Sequence, residues 1–353
     1  MMSLLKDNSA VSKTAFLPAE WFPQSGVQLT WPHVGTDWSH MLHEVEACYI
    51  QLAREIAKRE LLLIVTPEVQ QVSNYLERAH VNMSNVRLFE CETNDTWARD
   101  HGFITMMDGD KPLLLDFTFN GWGLKFASHY DNQINRELVK AKAVQGEYVN
   151  CLGYILEGGS IESDGEGTVL TTSECLLSPN RNDQLGKTEV EEYLKSTFNL
   201  KQVLWLDHGY LSGDDTDSHI DTLARLCSTD TIVYVKCENE KDEHYQALKK
   251  MEEQLKTFRT LQGKPYKLIA LPMADTVIFD EERLPATYAN FLIMNDCVLY
   301  PTYSQPTHDE EARMALQKAF PEKEIIGIEC SPLIKQHGSL HCITMQYPKG
   351  VLI

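Results

Sequence analysis

The chain repeats one local order: a helix-spaced apolar segment, a short apolar strand, then a turn. Residues 37–59 place Val45, Cys48, Leu52 and Ile56 at helical spacing, with Asp37 as the expected N-cap, and "LLLIV" at 61–65 follows as a strand. The order returns as "EVEEYLKSTF" then "QVLWL", as a helix around 242–260 then "KLIAL", and as "EEARMALQKAF" then "EIIGI". Hairpins lie between these units. "GFITMMDGDKPLLLDFTF" turns at Asp108-Gly109, and "YILEGGSIESDGEGTVLTT" turns at Asp164-Gly165. A chain built this way folds as α/β or α+β with several short mixed sheets. The repeats share shape more than residues, so they suggest an internal symmetry without defining it. The Glu- and Lys-rich helix faces read as solvated surface.

At 353 residues the chain has room for one large domain or two small ones. No low-complexity tract or long Gly/Ser/Pro linker divides it, which favours one. Its 51 acidic and 32 basic residues give a formal net charge of −19. Such a surface repels phosphate backbones, which argues against a nucleic-acid partner, and it attracts small cations. The opening "MMSLLKDNSAVSKTAF" has no apolar stretch of signal-peptide length, and no run is long enough to span a membrane. Nine scattered cysteines without a C-x-x-C pair fit reduced thiols in a cytoplasm. They argue against a structural zinc site.

Four segments carry more polar chemistry than a fold requires. In "NDTWARDHGF", Arg99 and Asp100 lie between two strand-like runs near Trp97. The plain reading is a loop ion pair; the functional one is a carboxylate aimed into an aromatic-walled pocket. In "LEGGSIE", Glu157 precedes two glycines, as in a bulged strand or at a close ligand approach. In "SGDDTDSHID", an extended backbone would put Asp215, Asp217, His219 and Asp221 on one face. An EF-hand fails there, because its sixth and twelfth positions lack the required Gly and Glu. A looser divalent-metal site remains open, as does a His general base with carboxylates that grip a cation. In "QHGSLHCITMQYP", Cys342 follows a Gly-containing turn. A lone cysteine beside a strand is ordinarily a small buried hydrophobe; a nucleophile presented at a loop–strand junction is the alternative.

Taken in order, W-x-R-D, E-G-G, D-x-D-x-H-x-D and G-x-x-H-C-[IV]-T resemble the agmatine deiminase and bacterial (Porphyromonas-type) peptidyl-arginine deiminase family of guanidine-modifying penteins. "WPH…DW" (31–38), "FNGWG" (119–123), "GTVLTTSECLLSPNRN" (167–182), "YANFLI" (288–293) and "AFPEKEIIGI" (319–328) match as well. The resemblance runs from about residue 20 to the C-terminus. It implies a single α/β domain over residues 1–353, a five-bladed pseudo-fivefold propeller of ββαβ modules, with the first ~15 residues as a loose N-terminal arm. It also implies roles. Cys342 matches the nucleophile, His219 the general acid/base, and Glu157 the carboxylate that hydrogen-bonds and orients that histidine. Asp100 and Asp221 match the pair that holds the guanidinium. The loop before Cys342 departs from the G-G-G-N-I-H-C of better-known agmatine deiminases: Gln336 and His337 stand where two glycines would, and only Gly338 is kept.

These residue types suit the hydrolysis of a guanidinium. Two carboxylates can hold its planar edges with charge-assisted hydrogen bonds. A free thiol, with a pKa near 8.5, needs a neighbouring positive charge to ionise at neutral pH. A histidine titrating near 6.5 can protonate leaving ammonia and then deprotonate water. The reaction implied is agmatine to N-carbamoylputrescine and ammonia through a Cys342 thiouronium, with no cofactor and no metal. Peptidyl-arginine or another guanidino compound is the alternative substrate, and a divalent-metal hydrolase built on Asp215, Asp217 and His219 is the competing class. Further contacts to a thin dication are expected from Trp31, Trp97, Trp122, Asp215, Asp217 and Gly338. A homo-oligomer is left open.

Overall fold

The computed structural model describes residues 12–353, so most of the expected N-terminal arm lies outside the described residues. Five sheets of three or four strands share one topology. In each, two antiparallel strands are followed by a helix and by a strand parallel to the second. The hairpin Ile104–Asp108/Lys111–Thr118 leads through helix Asp131–Lys140 to strand Glu147–Ile155. The next is Ile161–Ser163/Thr168–Thr172, helix Lys187–Phe198 and strand Gln202–Leu206. Ala224–Ser228/Thr231–Lys236, helix Tyr245–Leu255 and strand Lys267–Pro272 follow. Leu292–Ile293/Cys297–Thr302, helix Pro306–Ala319 and strand Glu324–Glu329 come last.

The remaining sheet joins the two ends of the chain. Strand Gln24–Thr30 pairs antiparallel with Thr344–Pro348 and parallel with Leu61–Thr66, with helix Leu42–Ala57 between, and Val86–Glu90 extends the edge. The helix–strand units and both hairpins expected from the sequence are present. Short strands form because β-branched and leucine runs are buried on both faces: Val169 to Thr172 and Ile232 to Val235 are buried throughout. No helix of the described residues is long and apolar enough to cross a membrane.

Two sequence expectations change here. Helix Leu42–Ala57 buries the expected stripe of Val45, Cys48, Leu52 and Ile56, but it is capped at Met41, and Asp37 stays in the loop before it. Trp31 is 0% exposed and packs edge-on to Tyr49 at 5.3 Å within the core of the first sheet. It is a core residue, because just past the strand Gln24–Thr30 its ring packs on Tyr49 of helix Leu42–Ala57.

A buried arginine ties the units together. Arg225 is 0% exposed. It donates to Glu162 Oε1, to Glu20 Oε2 at 2.6 Å, and to the carbonyls of Phe291 and Ala289 at 2.6 and 3.2 Å. These partners come from three distant parts of the chain. Removing one member of a buried ion pair leaves an uncompensated charge at a cost of about 3–5 kcal/mol. Arg225→Ala is therefore expected to lower unfolding free energy by about that amount, read from urea denaturation; a loss below 1 kcal/mol would contradict the reading.

Candidate active site

In each unit the few residues leading into the first strand carry polar side chains of one site. Asp100 precedes Ile104, Glu157 precedes Ile161, His219 and Asp221 precede Ala224, Asn290 precedes Leu292, and Cys342 precedes Thr344. Such junctions expose side chains from a rigid scaffold without breaking the sheet.

Gly159 marks where these loops meet. A Cβ built on it would lie 2.6 Å from His219 Nδ1, 2.9 Å from Asp100 Oδ1 and 3.1 Å from Asp221 Oδ2. Its own N–H donates to Asp100 Oδ1 at 3.0 Å, and Trp122 Nε1 donates to Asp100 Oδ2 at 2.9 Å. Asp221 Oδ2 accepts from His341 Nδ1 at 2.7 Å and lies 4.0 Å from Cys342 Sγ. The Cys342 thiol faces Asn290 Oδ1 at 3.4 Å, and that oxygen also accepts the backbone N–H groups of His341 and Cys342 at 2.8 and 3.3 Å. Asp100, His219, Asp221 and Cys342 thus converge.

"SGDDTDSHID" is not extended. Asp217 and Ser218 both take left-handed backbone angles (φ 64° and 61°), and His219 caps the short helix Ile220–Leu223. Asp214 stabilises the turn by accepting from Thr216 Oγ1 at 2.6 Å and the Ser218 N–H at 2.6 Å. The turn sends Asp217 away from the site, to Lys125 at 2.8 Å and to Arg181. Asp215, Asp217 and His219 therefore do not assemble a metal site among the described residues. Donor groups that do cluster are Glu157 with Cys175 and His219, and Glu20 with Glu162 and His341. Arginines already occupy their carboxylates: Arg181 on Glu157, Arg225 on Glu20 and Glu162.

Glu157 also differs from expectation. Its carboxylate takes the Arg181 Nε–H at 2.9 and 3.2 Å. It makes no hydrogen bond to either ring nitrogen of His219, although it stays within the 4.8 Å cluster with Cys175 and His219. Glu157 acts on His219 through charge alone. Burial would push His219 down, but Asp100, Cys175 and Glu157 outweigh it and hold its pKa well above the usual range. Burial, together with Asp221 and Asp100, raises the Cys342 thiol well above its ordinary value. Burial also raises Asp100. For Asp221 burial acts in the same direction, but His341 outweighs it and lowers the carboxyl.

Cys342 and Asp100 line a cavity of about 370 Å³. Trp97, Trp122 and Gly338 form further wall, and Asp37, Asp95 and Asp215 add carboxylates. No lysine or arginine lines it among the described residues. Burial and Asp37 raise Asp95 to about 7, and burial and Asp214 raise Asp215 to about 6. The retained Gly338 has a steric reason: a Cβ there would sit 2.1 Å from the Trp97 ring. His337, in place of a glycine, adopts φ 64° and donates from Nδ1 to the Gly213 carbonyl at 2.7 Å, which fastens the Cys342 loop to the aspartate-rich loop. Asn290, Arg181, His341 and Asp37 were given no site role by sequence. Asn290 sits within "YANFLI", and its position before a unit's first strand was the available signal. A side chain at Gly159 cannot fit between His219 and Asp100, so Gly159→Ala should cost about 1–3 kcal/mol in urea unfolding and shift the His219 imidazole resonances.

The chain matches the Porphyromonas-type peptidyl-arginine deiminase family over residues 16–348. A protein of Marinomonas sp. (strain MWYL1) named "Putative agmatine deiminase" is 33% identical over 354 residues, covering 94% of each chain. A Porphyromonas gingivalis structure described as "Putative Arginine Deiminase" is 49% identical, with a TM-score of 0.91 over 96% of this chain and 100% of that one. A substrate-bound C. Jejuni agmatine deiminase variant is 40% identical, with a TM-score of 0.88 over 96% and 97%. This chain belongs to the Porphyromonas-type peptidyl-arginine deiminase family.

Proposed function

We propose that the protein is a guanidine deiminase that hydrolyses agmatine to N-carbamoylputrescine and ammonia. The observation that carries this is a narrow cavity with a thiol and carboxylates on its walls and no lysine or arginine among its lining residues. A small dication matches both the charge and the shape. The agmatine deiminase names of the relatives support the same substrate. We read the 353 residues as one cytoplasmic catalytic domain and the five repeated units as blades of a pseudo-fivefold propeller. The pairing of the C-terminal strand with the first supports that reading.

Asp100 and Asp221 hold the guanidinium by charge-assisted hydrogen bonds, with Trp122 and His341 fixing the two carboxylates. In the free protein the thiol is protonated, since burial and the two aspartates oppose thiolate. A bound cation offsets those aspartates and favours ionisation of the thiol, whose proton leaves to solvent. The thiolate attacks the guanidinium carbon. Protonated His219 donates to the departing nitrogen, which leaves as ammonia, and an S-alkylthiouronium remains on Cys342. Neutral His219 then takes a proton from water as the hydroxide adds to the same carbon; on collapse the new hydroxyl's proton passes to the departing sulfur, which releases the ureido product and restores the Cys342 thiol. We assign Asp215, which lines the cavity, to the distal ammonium.

The test is ammonia release from agmatine, free arginine and a blocked arginine peptide. Agmatine is expected to turn over fastest, and Cys342→Ala to lose at least about 10⁴-fold in kcat. Turnover of the peptide alone would transfer the assignment to peptidyl-arginine; full activity of Cys342→Ala would sink the mechanism.

The raised Asp215 also sets a pH dependence. Its carboxylate attracts a cation only when ionised, which requires a pH above about 6. KM for agmatine should therefore rise as pH falls, by about tenfold at pH 5 relative to pH 7. Asp215→Asn should raise KM at neutral pH and flatten this dependence; an unchanged slope would remove Asp215 from substrate binding.

A further inference from the structure

His341 stands immediately before Cys342 and is 2% exposed. Its ring lies between carboxylates from two distant parts of the chain. Nδ1 is 2.7 Å from Asp221 Oδ2, and Nε2 is 2.8 Å from Glu20 Oε2. Burial would raise Glu20, but Arg225 and His341 outweigh it and hold the carboxyl well below the usual range. Burial would raise Asp221 too, and there His341 outweighs it. Both oxygens therefore belong to ionised groups that need a donor.

A neutral imidazole has one N–H and serves one such oxygen. With its proton on Nδ1, the bare Nε2 would turn a lone pair towards Glu20 Oε2 at 2.8 Å. Arg225 Nη2, 3.1 Å from Nε2, is the rival donor to a bare nitrogen, but it gives its shorter contact, 2.6 Å, to Glu20 and does not relieve that repulsion. A ring with both N–H groups satisfies both carboxylates at distances usual for charge-assisted hydrogen bonds. The other charged groups around it agree. Glu162 lies within the 4.8 Å cluster of Glu20 and His341, and Arg99 Nε reaches the His341 carbonyl at 3.4 Å. The carboxylates Glu20, Glu162 and Asp221 thus outnumber the arginines Arg99 and Arg225 by one, and a positive ring closes the balance that burial demands.

We infer that Glu20 and His341 are positioning residues for Cys342: Glu20 keeps the second proton on His341, and the charged ring fixes Asp221 and offsets its charge beside the thiol. Asp221 Oδ2 lies 4.0 Å from Cys342 Sγ, and burial and this carboxylate oppose ionisation of the thiol. A positive ring on the far side of Asp221 weakens that opposition. Glu20 precedes strand Gln24–Thr30, so the N-terminal part of the chain takes part in the chemistry of a C-terminal cysteine 322 residues away. This role rests on Cys342 being the nucleophile, whichever guanidino compound it attacks.

Two measurements test it, both made without substrate, so their failure is separate from a failure of agmatine to turn over. In NMR spectra of the full chain with isotopically labelled histidine nitrogens, the His341 signals are identified by their loss in His341→Asn or His341→Gln. Both ring nitrogens should carry a proton at neutral pH; one bare nitrogen would overturn the inference. The second measurement is alkylation of Cys342 by iodoacetamide, followed on its peptide by mass spectrometry. Glu20→Gln removes the acceptor charge at Nε2 and should slow alkylation at neutral pH about tenfold, the effect of raising the thiol by about one pKa unit. His341→Asn, which carries no charge, should do the same, and it decides the matter if Glu20→Gln does not fold. A merely structural role lowers Tm and leaves alkylation as fast or faster, and that result would sink the inference.

Discussion

Arg225 is the interaction on which the arrangement of the site depends. Its guanidinium sits at 0% exposure between Glu20 near the N-terminus, Glu162 in one hairpin and the carbonyls of Ala289 and Phe291. It also lies 3.1 Å from His341 Nε2. His341 in turn holds Asp221, which stands beside Cys342. Burying this many ionic groups is tolerable only when each finds a partner, since desolvation otherwise exceeds the Coulombic gain. That requirement fixes the relative positions of strands that share few residues in sequence, and with them the loops of the site.

The same logic explains the resting chemistry. Burial alone would neutralise both His219 and the carboxylates around it. Asp100, Cys175 and Glu157 instead hold the imidazole protonated, while burial, with Asp221 and Asp100, holds the thiol protonated. The site therefore holds a charged imidazole and a neutral thiol side by side. His337 adds a feature of this chain. A residue with φ 64° in place of glycine, hydrogen-bonded to Gly213, gives up backbone freedom beside Cys342 for a fixed cavity wall.

Much of the fold was legible in the chain. Helical and strand periodicities reflect which faces must be buried, and those are local properties. The hairpin turns at Gly109 and Gly165 follow from their positive φ of 61° and 76°, which glycine adopts without strain. The ordered motifs of Asp100, Glu157, His219, Asp221 and Cys342 were legible too, and the structure brings all five side chains into one small volume. The partners were not legible. Arg181 and Glu157 are 24 residues apart, and His341 and Glu20 are 321 apart. Asp217 leaves its neighbours because two left-handed residues turn the chain there, an effect that an alternating-face argument cannot anticipate. Trp31 belongs to the core and Asp37 to a cavity wall, and only packing distinguishes those outcomes from their reverse.

By itself, the sequence determined the repeating helix–strand units, the acidic surface and the residue types available for chemistry on a guanidinium, because these depend on composition and on spacing along the backbone. Only the tertiary structure decided which buried charge pairs with which, and that Glu157 serves Arg181 before His219. Those outcomes depend on which desolvated groups come within hydrogen-bond distance when distant loops are packed together, and no local pattern encodes that distance.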